Sequence, residues 1–160
     1  MIIGIGVAVA FLYSGTGNSD KERKVKVADS DRCLTLCAVP SDAVLVASYS
    51  EAEMFPAMRK SQMAMSLHFY SGKLQRLYVL AAGRDQSAVE TVLADSQSKG
   101  LHAAQDGNLI LISDSETLLK SSQRHLAKGI SILDANGFAN ALNAVDGGDV
   151  VYISNNHFDQ

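Results

Sequence analysis

Four histidines, His68, His102, His125 and His157, are the side chains best suited to acid–base work or metal binding near neutral pH. They are widely scattered, and none has a Cys or His three or four residues away, so a metal site would need tertiary convergence. Surface or strand positions fit them better. The two cysteines stand in Cys33-Leu34-Thr35-Leu36-Cys37. A spacing of i, i+4 puts both thiols on one helical face, whereas redox centres favour C-x-x-C. Two readings stay open: small buried hydrophobes packing a helix, or a strained disulfide in an oxidising compartment. Asp114 and Glu116 suggest paired carboxylates. Ser113-Asp114-Ser115-Glu116 also matches a capping box, with Ser113 serving the amide three residues on and Glu116 reaching back, and this explains both. Met54, Met58, Met63 and Met65 suit a pliable binding surface, but their spacing is more that of core packing. No G-x-S-x-G elbow, P-loop or H-E-x-x-H motif is present. The pattern assigns no catalytic, cofactor-binding or metal-ligating residue.

Gly4-Ile5-Gly6 resembles the opening of a dinucleotide fingerprint, in which glycines let the backbone approach a pyrophosphate. Val9 stands where a third small residue is needed, and Ser14-Gly15-Thr16-Gly17 would end the helix too soon for a parallel crossover. The segment reads more naturally as apolar anchorage. Residues 1–13 contain 11 apolar side chains and two glycines, and no charge appears before Asp20. Nineteen uncharged residues give about 28 Å of helix, close to the ~30 Å hydrocarbon core of a bilayer. No basic residue precedes the run, and Phe11-Leu12-Tyr13 follows Ala8-Val9-Ala10, which argues against a cleaved signal peptide. The alternative is a buried strand–helix start of a soluble fold.

Residues 1–19 are therefore expected to be a membrane anchor, residues 20–32 a charged linker and residues 33–160 an α+β domain that could continue past Gln160. The linker DKERKVKVADSDR holds five basic and four acidic residues with no wide apolar face. Lys21, Arg23, Lys24 and Lys26 would lie at the membrane surface, and taken alone they favour a cytoplasmic domain.

The elements that would position any site follow from periodicity. Ala43–Tyr49 reads as a buried strand introduced by Pro40-Ser41-Asp42. Glu51–Lys60 has helical spacing of Met54, Phe55 and Met58, weakened by Pro56. Leu67 and Phe69 alternate with His68 and Tyr70, and Ser71-Gly72-Lys73 turns the chain into Leu74–Ala82. Val89, Val92, Leu93 and Ser96 mark an amphipathic helix ending at Gly100. A second hairpin follows through Asp106-Gly107-Asn108, then a helix burying Leu118, Leu119 and Leu126. Phe138, Ala141, Leu142 and Val145 make a short helix broken at Gly147-Gly148, and Asp149–Ser154 is a last strand. The first six elements match a split βαβ arrangement, which predicts a mainly antiparallel, ferredoxin-like sheet with helices on one face, preceded by the transmembrane helix.

Three stretches carry a resemblance: Val39-Pro40-Ser41-Asp42-Ala43-Val44, the run from Gly107 to Leu142, and DVVYISNNHF at 149–158. Together they resemble the N-terminal part of a bacterial family of membrane-anchored proteins of unknown function, with a V-P-x-D-A start before the first strand. The resemblance covers roughly residues 38–158 and implies an N-terminal anchor with an exported, periplasmic domain. It carries over no catalytic or ligand residue.

Composition narrows the function classes. With 47% hydrophobic residues, two prolines and a net charge of −3, the chain is neither disordered nor built to hold nucleic acid. Expected partners are the membrane, through residues 1–19, and an envelope protein or polymer; no cofactor is expected. A non-enzymatic binding or structural module is expected. The alternative is part of a larger envelope enzyme whose site lies mostly beyond residue 160.

Overall fold

The computed structural model describes residues 34–135, 137–143 and 149–154, with the backbone of 8–10. The chain is α+β. Its strands are β1 (Ala8–Ala10), β2 (Leu45–Tyr49), β3 (Met63–Tyr70), β4 (Lys73–Ala81), β5 (His102–Asp106), β6 (Leu109–Ser113) and β7 (Val150–Ile153). Among the described residues, its α-helices of six residues or more are α1 (Gln86–Ser98), α2 (Glu116–Lys128) and α3 (Phe138–Asn143). The strands form one sheet in the order β1-β7-β2-β3-β4-β6-β5, antiparallel throughout except for β1 against β7.

Helices lie on both faces, not on one. The cause is legible in β4 and β6, where Leu77, Val79 and Leu80, and Leu109 to Ile112, are buried without alternation. Strands apolar on both sides need cover on both sides. Leu77, Val79, Leu109 and Leu111 join Leu118 and Leu119 of α2, Phe138 and Leu142 of α3, and Leu36 and Val39 in one core. Leu80, Ile110 and Ile112 face the other way and pack with Val89 and Val92 of α1 and with Met58. Burying each large aliphatic side chain contributes roughly 1.5–3 kcal/mol, so the two layers together supply most of the driving force.

The split βαβ frame also shifts. The helix expected over Glu51–Lys60 is only a 3-10 turn, Pro56–Met58. Pro56 lacks the amide that a helix running from Glu51 would need to bond the Ala52 carbonyl, so it can only stand in the first turn. Strands β2 and β3 are consequently antiparallel neighbours. The parallel pair separated by one strand is instead β4 and β5, joined by α1, with β6 antiparallel to both between them. The capping box moves as well. Ser115 caps α2 by accepting from the Leu118 amide, while the Ser113 hydroxyl accepts from the Ser115 amide and donates to the Arg76 carbonyl at 2.6 Å.

At the N-terminus, Ala8–Ala10 is a short strand parallel to Val150–Tyr152, where the sequence predicts a membrane helix. Short apolar runs rich in β-branched residues suit either element. The rest of residues 1–19, the linker at 20–32, Cys33, Val145, Gly147, Gly148 and His157 lie outside the described residues. Among the described residues, no helix is long and apolar enough to cross a membrane.

Candidate functional site: the Ser66–His68–Asp42–Tyr70 chain

Strand β3 places Ala64, Ser66, His68 and Tyr70 on the face turned toward α2, and Met63, Met65, Leu67 and Phe69 on the other. Its burial reverses the simple hydrophobic-in reading near the end of the strand. His68 is 0% exposed, whereas Phe69 is 60% exposed. The reversal is possible because His68 is satisfied at both nitrogens.

The loop Pro40-Ser41-Asp42 brings a carboxylate over the end of β3. Asp42 Oδ1 lies 3.0 Å from His68 Nδ1, and His68 Nε2 lies 2.9 Å from Ser66 Oγ. The Tyr70 hydroxyl donates to the second carboxylate oxygen at 2.8 Å. With Asp42 ionised, Nδ1–H donates to it, and in that tautomer Nε2 accepts from the Ser66 hydroxyl. The hydrogen bond from His68 holds the Asp42 carboxyl down to about 2, against the opposing effect of its partial burial, with Tyr70 assisting. Tyr70 is pushed up, chiefly by burial, while its contact with Ser121 of α2 pulls the other way. Ser121 in turn meets His125 Nδ1, both through its hydroxyl at 3.4 Å and its carbonyl at 2.8 Å. The chain of polar groups thus runs from the core at Ser66 to the surface of α2.

Asp, His and Ser in this order, at these distances, are the elements of a nucleophilic triad. Access decides against that use. Ser66 and His68 are both fully buried, and solvent reaches the chain at Asp42, whose side chain is 49% exposed, and at Tyr70. A nucleophile must present its oxygen to an acyl carbon, and Ser66 Oγ is enclosed between β2 and β4 beneath the sheet's cover. What the arrangement does is fasten the 38–44 segment. The Val44 amide donates to the Leu67 carbonyl, the Ile132 amide to the Val39 carbonyl, and the Ser122 hydroxyl to the Ala38 carbonyl, all along the same segment.

The sequence places Asp42 only in the entry to the first strand, gives no site role to Asp42, Ser66 or Tyr70, and reads His68 as a surface or strand residue. The available signal is Ser66-x-His68-x-Tyr70, three hydrogen-bonding residues on one face of a strand whose other face is apolar. The remaining candidates do not converge. His102 is exposed on β5, and His125 lies on α2. Cys37 is a free thiol, raised in pKa by burial and then by the nearby charge of Asp134. Asp114 accepts from the Arg76 amide and pairs with its guanidinium, and Glu116 pairs with Lys120 one helical turn on. Met58 and Met63 are core, while Met54 is exposed. Among the described residues, no three His, Cys, Asp or Glu side chains cluster to hold a metal. Comparison with protein families, with curated proteins and with solved structures returns no match.

Proposed function

We propose that this chain is a membrane-anchored cell-envelope domain, held on the periplasmic side, that works as a binding or structural module and not as an enzyme. The observation that supports the non-enzymatic reading is the Ser66–His68 pair, which has triad distances but is fully buried. We assign the β4–α1–β5 unit, with β6 between its strands, to the ferredoxin-like kind. Such a platform serves binding as readily as catalysis, so fold adds nothing to either side.

The tether rests on residues 1–19 and on the family resemblance. Strand β1 offers the same residues a competing position. Its three parallel pairings with β7 are a small gain beside 11 apolar side chains entering lipid at roughly 1 kcal/mol or more each. Insertion would leave the outer edge of β7 free.

Two measurements test this reading. A fluorophosphonate probe on the folded chain should leave Ser66 unlabelled, and stoichiometric labelling there would establish a nucleophile. Fractionated cells should hold the native protein in the membrane, with the domain cleaved by protease added to spheroplasts. Recovery in the soluble fraction would remove the tether, and protection until lysis would reverse the orientation.

A further inference from the structure

The β3–β4 hairpin turns tightly through Ser71 and Gly72, both at positive φ (50° and 73°), as a two-residue turn of the primed kind requires. The turn leaves Phe69 and Leu74 as a cross-strand pair on the sheet face opposite His68. They are 60% and 50% exposed, on a face where Leu67 and Leu45 are only partly buried beside them. Two large apolar side chains projecting together from a hairpin tip are costly in water, and helix α1 covers the face only farther along, at Leu80, Ile110 and Ile112.

The charge around the tip has one sign to spare. Of the cations in residues 54–84, Lys73 and Arg76 stand near the tip, whereas Arg59, Lys60 and Arg84 lie beyond the far ends of β3 and β4. Lys73 opens β4 directly after the turn, exposed and opposite Tyr70, Arg76 is two residues beyond Leu74, and Arg124 of α2 lies near Tyr70. The acidic groups at this end are engaged: Asp42 by His68 and Tyr70, and Asp114 by Arg76. The chain also reaches the sheet at this end, since Asp42 and Val44 bond to Tyr70 and Leu67. A tether leading into the domain through this segment would bring the hairpin tip toward the bilayer.

We infer that the β3–β4 hairpin is a membrane-contact element, with Phe69 and Leu74 entering the headgroup–acyl boundary of an anionic bilayer and Lys73 meeting its lipid charges. An exposed apolar pair flanked by cations is the pattern of interfacial binding, in which buried apolar area and attraction to anionic lipid add. This inference rests on the tether reading and deepens it by naming the surface that faces the membrane.

The chain contains no tryptophan, so Phe69→Trp makes a single reporter at the tip. Met54→Trp serves as a control, at a residue 55% exposed but outside the hairpin. The full chain is mixed with vesicles of phosphatidylcholine and phosphatidylglycerol in equal parts, and pelleting records whether it binds. The expected result is a blue-shifted emission from the Phe69→Trp chain, quenched by lipids brominated on their acyl chains. The Met54→Trp chain should bind equally with its emission unchanged. Failure to pellet would sink the tether reading and this one. Pelleting with the indole at the hairpin tip left solvent-exposed would spare the tether and overturn the hairpin contact. A blue shift without bromine quenching would mean a protein contact instead, and an equal response on pure phosphatidylcholine would remove the role of lipid charge.

Discussion

Replacing Asp42 by Asn keeps the shape of the side chain and removes the charge that His68 and Tyr70 address. The size of the loss follows from the carboxyl, held at about 2 in the folded chain against 3.8 in its ordinary state. At about 1.4 kcal/mol per pH unit, the ceiling is roughly 2.4 kcal/mol. The Asp42 side chain is 49% exposed, so solvent screening reduces the expected loss to about 1 kcal/mol. A depressed carboxyl contributes stability that is complete above its unfolded value and lost as pH falls through its folded value. The gap between the native chain and Asp42→Asn should therefore be steady from about pH 5 upward and close between about pH 4 and 2. Urea unfolding followed across that range measures it, and at neutral pH the melting temperature should drop by roughly 2–4 °C. Tyr70→Phe, which removes one donor and no charge, should show a smaller loss. A gap as large at pH 3 as at pH 6, or one that widens on acidification, would refute the argument that the ionised carboxylate fastens the segment.

The remaining expectations concern the same core and its helices. Ser66→Ala leaves His68 Nε2 buried without a partner and should cost about 1–3 kcal/mol, read by chemical denaturation. Leu118→Ala, at a fully buried position on the inner face of α2, should cost about 2–5 kcal/mol in the same assay. Gly129 ends α2 at φ 65° with open space where a Cβ would stand, so Gly129→Ala should lose about 1 kcal/mol from backbone strain alone. The Cys37 thiol, pushed up by burial, should react slowly with a thiol reagent at pH 8 and rapidly once the chain is unfolded; equal rates would show that the site is open.

How far the sequence speaks differs by element. Asp106-Gly107-Asn108 between two apolar runs predicts the β5–β6 hairpin, and Gly107 indeed takes φ 57° at the turn. Val89, Val92 and Ser96 face inward on α1 as their spacing requires. Phe138, Ala141 and Leu142 likewise fall on α3. Periodicity fails where polar residues find partners far away in sequence. His68 is polar by type, yet it is buried because Asp42, 26 residues earlier, and Ser66 complete its hydrogen bonds. Phe69 lies outside because nothing among the described residues covers that end of the face. The unbroken apolar runs of β4 and β6 foreshadow helices on both faces, a signal that a one-sided sheet would not show. Ser115 and not Ser113 is the cap because Ser113 is still the last residue of β6, paired with β4 and donating to the Arg76 carbonyl, so the helix begins only at Glu116, a tertiary constraint invisible in a four-residue motif.

A sealed, structural Ser66–His68–Asp42 chain keeps reagents from the buried imidazole. Diethylpyrocarbonate acylates accessible imidazoles, and peptide mapping after limited reaction ranks the histidines directly. Exposed His102 should be modified early, while His68 should stay intact until the chain unfolds. Modification of His68 at the rate of His102, with the fold retained, would contradict it.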